Sequence, residues 1–365
     1  MVKNQCYCYS CIDIDSFLDI CTDPLGAEIQ FDSGHRPFLI TGANFNNDDF
    51  DDVAYINQGD NTLSVALSNG DGTFKCSQTY GVGMMPTYVR SSDLNGDGNL
   101  DLIVSNGNSR SISIFLGHGD GTLQLQRVYM AGNMPESITT GDFNGDGNMD
   151  IVVANQGDDT ISFFSGRGTG TFRAQVKTRT VDRPTSVISA DYNGDGKLDL
   201  VITSSSDDMV SIMWGNGDGT FMSGKMYATG GEPVSVRSAD FNGDSFLDLI
   251  VANRHSDTIS FFMGNGDGTF AKQMMYETGN NPTSVGTPRD WNGDGFTDIS
   301  VSDRVDNTVS ILLGNGDGTF QPRIIYASSS GARYVTSGDF NNDGNVDLAL
   351  VNINSNQISI HLNQC

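Results

Sequence analysis

Oxygen-bearing side chains recur at positions 1, 3, 5 and 9 of a nine-residue segment that occurs seven times in this chain. The segments begin at Asn44, Asp93, Asp142, Asp191, Asp240, Asp290 and Asp339, and successive copies lie 49 or 50 residues apart. Alternating side-chain oxygens, with glycine at the sharp turn, can surround a hard cation that takes six to eight oxygens at about 2.3–2.6 Å. Each segment is therefore a candidate metal-binding loop.

The predicted ligands are the side chains at those four positions and, in copies two to seven, the backbone carbonyl at position 7. Calcium is favoured over magnesium, because magnesium takes fewer protein ligands in near-octahedral geometry. Turns that are merely rich in Asp and Asn would not keep one ligand spacing in all seven copies. We expect up to seven Ca²⁺ ions, held by Asn44, Asn46, Asp48, Asp52, Asp93, Asn95, Asp97, Asn99, Asp101, Asp142, Asn144, Asp146, Asn148, Asp150, Asp191, Asn193, Asp195, Lys197, Asp199, Asp240, Asn242, Asp244, Phe246, Asp248, Asp290, Asn292, Asp294, Phe296, Asp298, Asp339, Asn341, Asp343, Asn345 and Asp347.

The seven loops are not equivalent. Copies two, three, four and six have glycine at position 6, whereas copy five has Ser245 there and copy seven has Asn342 at position 4. Copy one departs furthest, because Asn44 replaces the first aspartate and Asp49 replaces the glycine. We therefore expect the Asn44–Asp52 site to bind calcium most weakly. The loops lack the position-12 glutamate of an EF-hand, and exposed loops of this kind fall in the ~10⁻⁴–10⁻³ M class of extracellular modules.

Short strands must position these loops. In the unit that starts at Pro184, period-two alternation predicts the strands PTSVISA, LDLVI, VSIMW and FMSGKMY. Four strands in a repeat of about 50 residues are typical of a propeller blade. The recurring NGDGT hairpins suit tight turns with positive φ. We therefore assign their aspartates to turns rather than to extra metal sites; these are Asp71, Asp120, Asp218, Asp267 and Asp317.

The seventh unit ends at Cys365 without a fourth strand. The stretch after residue 27 matches the end of a unit, so Glu28–Asp32 is predicted to supply the outer strand of the last blade and close the ring. A disulfide between Cys21 and Cys365 would then lock the two termini together. The predicted division is a Cys-rich segment over residues 1–27 and a seven-bladed all-β propeller over 28–365, with four antiparallel strands per blade.

Composition limits the class of partner. The net charge of −25 comes largely from the loops, since 20 of the 45 acidic residues occupy predicted ligand positions. Such acidity argues against nucleic acid as a partner. No apolar run approaches the ~20 residues of a membrane span, and no signal peptide is visible. The weak-calcium class nevertheless favours an extracellular protein. Disulfides or zinc remain alternatives for the cysteines, which are Cys6, Cys8, Cys11, Cys21, Cys76 and Cys365.

The D-x-N-G-D-G-x-x-D loop, the following D-L-[IV]-V strand and the G-N-G-D-G-T-F hairpin resemble the FG-GAP/VCBS repeat family, over about 340 of the 365 residues. This family includes the integrin α-chain propeller and calcium-loaded fungal seven-bladed lectins. The resemblance implies a seven-bladed propeller with calcium between the first and second strands of each blade. It does not imply one function, because members serve as adhesion receptors, lectins and enzyme-linked domains.

Function is expected on the face opposite the metal loops, where two sets of loops vary between copies. One set joins second and third strands (58–60, 107–110, 156–159, 205–208, 254–257, 304–306 and 353–356), and the other joins blades (33–36, 81–85, 131–134, 181–183, 230–232, 279–281 and 329–333). No catalytic motif is visible, and His35, His118, His255 and His361 are scattered, so an enzyme is not expected. The sequence favours a monomeric binding or adhesion module for a glycan or protein ligand. Alternatives are a polysaccharide lyase or hydrolase and a calcium-stabilised scaffold.

Overall fold

A computed structural model describes residues 25–365, and all regular elements in that range are β-strands. They form seven four-stranded antiparallel sheets, which confirms the predicted propeller. Blades one to three contain β2 (Pro37–Ala43), β3 (Asp52–Asn57), β4 (Thr62–Ala66) and β5 (Gln78–Gly81); β6 (Pro86–Ser92), β7 (Asp101–Asn106), β8 (Ser111–Phe115) and β9 (Arg127–Met130); and β10 (Pro135–Gly141), β11 (Asp150–Asn155), β12 (Thr160–Phe164) and β13 (Val176–Arg179).

Blades four to six repeat this order, and blade seven is completed by the first strand of the chain. Their strands are β14 (Pro184–Ala190), β15 (Asp199–Ser204), β16 (Met209–Gly215) and β17 (Phe221–Ala228); β18 (Pro233–Ala239), β19 (Asp248–Asn253), β20 (Thr258–Phe262) and β21 (Met274–Glu277); β22 (Pro282–Val285), β23 (Ile299–Asp303), β24 (Thr308–Leu312) and β25 (Ile324–Ala327); and β26 (Ala332–Gly338), β27 (Asp347–Asn352), β28 (Gln357–Asn363) and β1 (Leu25–Asp32).

The ring closes as predicted. Strand β1 pairs antiparallel with β28, and Phe31 lies opposite Ile358 in that register. The strand begins at Leu25, three residues before the predicted start at Glu28. The proposed bond from Cys21 involves a residue outside the described part and stays a prediction. Cys76 is free and exposed, which excludes three disulfides among the six cysteines.

The core is divided among the contacts between neighbouring blades. Seven apolar clusters lie at the seven blade–blade contacts, including the contact between the last and first blades. The second strand of a blade is buried along its whole length, as in β7 and β11, because it is covered by apolar side chains on both faces. Outer strands such as β9 and β13 are mostly exposed. This packing fixes the inner strands around the central axis and places the connecting loops on two opposite faces.

Candidate functional site

Each carboxylate loop follows an inner strand and leads into the buried second strand. In the second copy, Asp93 accepts hydrogen bonds from the backbone N–H groups of Gly96 (2.7 Å) and Gly98 (2.9 Å). Asp97 accepts one from the N–H of Asn99 at 2.8 Å. Gly98 has a φ of 83°, a left-handed conformation that glycine adopts without steric cost. The loop is therefore folded by its own carboxylates.

The aspartate at position 9 has a structural role that the sequence did not reveal. Oδ2 of Asp101 accepts the N–H of Leu94 (2.9 Å), and Oδ1 accepts the N–H of Gly117 at 2.8 Å. The side chain is fully buried and joins the start of its loop to the end of the third strand. The same pair of bonds is made by the position-9 aspartates Asp52, Asp150, Asp199, Asp248, Asp298 and Asp347.

The carboxylates of one loop lie close enough to repel each other. Burial, together with the charges of Asp97 and Asp93, raises the pKa of Asp101 to about 6. Burial likewise raises the pKa of Asp298 to about 7, again with a contribution from Asp294 and Asp290. A divalent cation would offset this repulsion. The oxygen-only donor set thus fits the chemistry of calcium.

The carboxylates of these loops are not arranged around one point, as the ligands of an occupied metal site are. No group of three or more His, Cys, Asp or Glu side chains within residues 25–365 is arranged closely enough to hold a metal ion. The position-1 oxygens point to backbone N–H groups instead, as described for Asp93. If calcium binds, the side chains at positions 1, 3 and 5 would hold it, together with the position-9 carboxylate and the position-7 carbonyl. These ligands stay predicted.

Loop one, the copy that departs furthest in sequence, also differs from the other six in its hydrogen bonds, and its weaker binding of calcium stays a prediction. Elsewhere the position-1 carboxylate accepts the N–H of position 6, as Asp142 does from Gly147 at 2.8 Å. In loop one, the Nδ2 group of Asn44 instead donates to the backbone carbonyl of Asp48. Loop five keeps the common arrangement only because Ser245 adopts a φ of 70°, which a non-glycine residue adopts at a steric cost.

The hairpins lie on the same face as the carboxylate loops, as predicted. The N–H of Gly121 in one blade donates to the carbonyl of Phe45 in the preceding blade at 3.0 Å. In the hairpin of blade one, Asp71 accepts the backbone N–H of Thr73 at 2.9 Å and also its hydroxyl. This hydroxyl lowers the pKa of Asp71, which is exposed. The hairpin aspartates therefore stabilise turns.

The opposite face holds a cavity at the centre of the ring. The cavity measures about 170 Å³ and is lined in part by Arg237, farther along β18, and by Gln156 and Arg254 from the loops above. Its other lining residues are the second residue of every inner strand and the third residue of five of these strands. Since the carboxylate loops follow the ends of the inner strands and these residues lie at their beginnings, the cavity opens on the varied face. Its charged lining residues are Glu136, Arg237, Arg254 and Arg333.

A polar layer separates this cavity from a second one of about 310 Å³ that lies deeper in the central channel. Tyr88, Arg237 and Tyr334 line both cavities. The Nη2 group of Arg237 donates to the hydroxyl of Tyr334 at 2.6 Å, and the rings of Tyr88 and Tyr334 make an edge contact at 6.5 Å. A ligand entering from the varied face would therefore meet this layer as the floor of its site.

These channel residues were not among the site residues predicted from the sequence. Glu136 and Arg333 occupy the inner-strand position that is threonine in Thr87, Thr185 and Thr283. A charged side chain on the strand that surrounds the axis was the available signal. This signal was missed because the predicted site residues were those that recur in every repeat, whereas Glu136 and Arg333 depart from the repeat.

The matches of a family model follow the loops. The model described as FG-GAP-like repeat matches residues 44–104, 93–153, 142–202, 191–251, 240–301 and 290–350, each running from one carboxylate loop through the next. The chain belongs to the FG-GAP-like repeat family. No curated protein matches it.

Solved structures share the architecture of this FG-GAP-like repeat protein at low identity. They include BBS1N in complex with ARL6DN (13% identity, TM-score 0.66, covering 93% of this chain and 96% of that chain). Virginiamycin B lyase from Staphylococcus aureus has 12% identity, a TM-score of 0.63 and coverages of 92% and 99%. An N-acetylglucosamine-recognising lectin from Agrocybe aegerita has 17% identity, a TM-score of 0.53 and coverages of 80% and 80%. These likenesses show the fold alone.

One prediction has to be corrected. The absence of familiar catalytic motifs led us to expect that the chain is not an enzyme, and that inference is wrong, because propellers of similar structure include lyases. The absence of a local sequence motif cannot exclude catalysis on a propeller, because side chains that are far apart in the sequence can meet at the axis. At 12–14% identity these lyases do not establish an activity here either.

Within the described range, the structure has no helix of the length and apolarity that a membrane crossing requires.

Proposed function

We propose that this protein is an extracellular, calcium-stabilised propeller that binds a saccharide ligand on the face opposite its carboxylate loops. The observation that carries the proposal is the central cavity of about 170 Å³ on that face. Concave sites with a few convergent polar groups are where ligands generally bind. The lining changes from blade to blade, whereas the rest of the scaffold repeats. A lectin of similar fold supports a saccharide, and a protein ligand is the alternative for the same face.

Calcium and location belong to the same proposal. Exposed loops with two or three carboxylates suit the millimolar calcium found outside cells. Metal that binds only the folded protein stabilises it by mass action. Nucleic acid and the membrane interior are not among the proposed partners, and the protein is expected to act as a monomer.

The experiment is a glycan array probed with the full chain in calcium and in chelator, using two matched variants. Thr185 lines the cavity, whereas Thr169 lies exposed on a hairpin of the other face. Thr185→Trp should fill the cavity and abolish binding, whereas Thr169→Trp should leave it intact. Glycan binding that survives Thr185→Trp and is lost in Thr169→Trp would place the site on the wrong face and refute the proposal.

A second candidate is a lyase that acts on a uronic-acid polysaccharide. Glu136 favours it, because burial raises the pKa of this cavity carboxyl to about 7, against the charges of Arg333, Arg254 and Arg183. Such a group can serve as a general base near neutral pH. Glu136 would take the proton from the carbon next to the substrate carboxylate. The bond between the neighbouring carbon and the leaving sugar oxygen would break to form an alkene, and that oxygen would take a proton from water. Ultraviolet absorbance of that unsaturated product, absent in Glu136→Gln, is the test.

A further inference from the structure

Positive charge is concentrated around the central cavity of an otherwise acidic protein. The chain has 14 arginines against a net charge of −25. Seven of them line the central channel or act electrostatically on its buried groups: Arg36, Arg90, Arg183, Arg237, Arg254, Arg304 and Arg333. Guanidinium groups donate hydrogen bonds only, so this lining is built to meet acceptors.

Among the three arginines that line the cavity, Arg333 has neither an ion pair nor a guanidinium hydrogen bond in the described structure, whereas Arg237 donates to the Tyr334 hydroxyl and the Val236 carbonyl. Arg333 forms no ion pair within residues 25–365, whereas Arg254 pairs with Glu232 through two nitrogen–oxygen contacts. The guanidinium of Arg333 lies over the ring of Phe38, 3.6 Å from its centroid. This stacking holds the cation in place but provides no acceptor for its N–H groups. The side chain is half-buried, so solvent and ligands can reach it from the cavity.

The shift in the pKa of Arg333 also indicates a positive charge without a counter-ion. Burial, together with the charges of Arg304, Arg254 and Arg36, lowers the pKa of Arg333 to about 9, against the charge of Glu136. A bound anion would reverse these effects by stabilising the guanidinium. Three arginines line the cavity, and the two carboxylates near them are Glu136 and the Glu232 partner of Arg254. The lining therefore carries an excess of positive charge, which suits an anionic ligand.

We propose that the central cavity binds a carboxylate group carried by an acidic sugar, with the guanidinium of Arg333 as its main ligand. A carboxylate offers two coplanar acceptor oxygens that match the guanidinium fork. Phosphate is tetrahedral and carries more charge at neutral pH. The polar side chains of Gln156 and Arg254 at the mouth can contact the sugar ring. This inference rests on the proposed saccharide-binding function and names its ligand class.

The test is calorimetric titration of the full chain, in calcium, with D-glucuronate, D-glucose and inorganic phosphate. Glucuronate should bind saturably and at least tenfold more tightly than glucose or phosphate. Arg333→Met should weaken glucuronate binding at least tenfold. The control Arg167→Met removes the same charge from an exposed hairpin on the other face and should leave glucuronate binding unchanged.

A variant that is expected to gain affinity complements Arg333→Met, because misfolding would not strengthen binding. Glu136→Gln removes the competing carboxylate from the cavity and should strengthen glucuronate binding severalfold. Glucose binding as tight as glucuronate binding, and insensitive to Arg333→Met, would overturn the acidic-ligand inference and leave the saccharide function standing. Phosphate binding as tight as glucuronate would overturn the carboxylate assignment. If none of these probes bound and no glycan on the array bound the protein, both the inference and the proposed function would be overturned.

Discussion

A buried carboxylate in blade six has replaced an amide that other blades use. At the end of the second strand, Asn253 donates from Nδ2 to the hydroxyl of Ser260 at 2.9 Å. At the matching place in blade six, the hydroxyl of Ser310 donates to Asp303 at 2.6 Å, and Arg323 lies 4.0 Å away. Asp303 is fully buried, and one of its oxygens has no hydrogen-bond partner in the described structure. The carboxylate is therefore poorly compensated.

We expect Asp303→Asn to stabilise the protein at neutral pH. Burial raises the pKa of Asp303 from 3.8 to about 6, although Ser310 and Arg323 lower it. A shift of this size corresponds to about 3 kcal/mol of unfolding free energy between the two protonation states. Asparagine avoids the charge and restores the amide donor to Ser310. The variant should thus be more stable at pH 8 by up to about 3 kcal/mol.

The sign of the pH dependence follows from the raised pKa. Between pH of about 4 and 6 the folded state holds a proton that the unfolded state has lost, so Asp303 makes the wild type less stable as pH rises through that window. The stability difference between Asp303→Asn and wild type should grow across the window and level off above it. Urea denaturation of both proteins at several pH values measures this difference.

A neighbouring aspartate provides the control. Asp306 is exposed, and hydrogen bonds from the N–H and side-chain amide of Asn280 lower its pKa, so Asp306→Asn should bring no gain at pH 8. Two results would refute the reasoning: a stability difference for Asp303→Asn that does not vary between pH 4 and 7, or a loss of stability at pH 8. Either would mean that the Arg323 contact compensates the carboxylate fully.

Three further predictions concern the loops and the ring closure. Chelation of calcium should lower the melting temperature measured by calorimetry, since the loop carboxylates would then repel each other; an unchanged melting curve would contradict a structural role for the ion. Ser245→Gly should raise the unfolding free energy by about 1 kcal/mol, because Ser245 adopts a φ of 70°; a loss of stability would show that the serine side chain makes a compensating contact. Deletion of residues 1–32 removes β1 and exposes the edge of β28, so gel filtration should show association or aggregation, and a stable monomer would contradict the closure argument.

The sequence determined the scaffold because its signals are local and repeated. The alternation in PTSVISA, the turn residues of the NGDGT hairpins and the spacing of the loops each fix a short segment, and seven copies make the pattern unambiguous. Closure by the segment before Asp32 could be inferred for the same reason, since the last unit lacked the strand that the first residues supplied. The start at Leu25 could not, because strand ends depend on pairing with the partner strand rather than on local pattern.

Only the tertiary structure decided what lies at the axis. Glu136 and Arg333 are 197 residues apart and belong to blades three and seven, yet both line one cavity. Nothing local in either strand predicts that meeting, because it depends on how seven sheets pack around a common centre. The double hydrogen bonding of Asp101 is a similar case, since Gly117 reaches it only after the blade has folded. The repeat thus specifies the ring, and the departures from the repeat acquire meaning only when the ring brings them together.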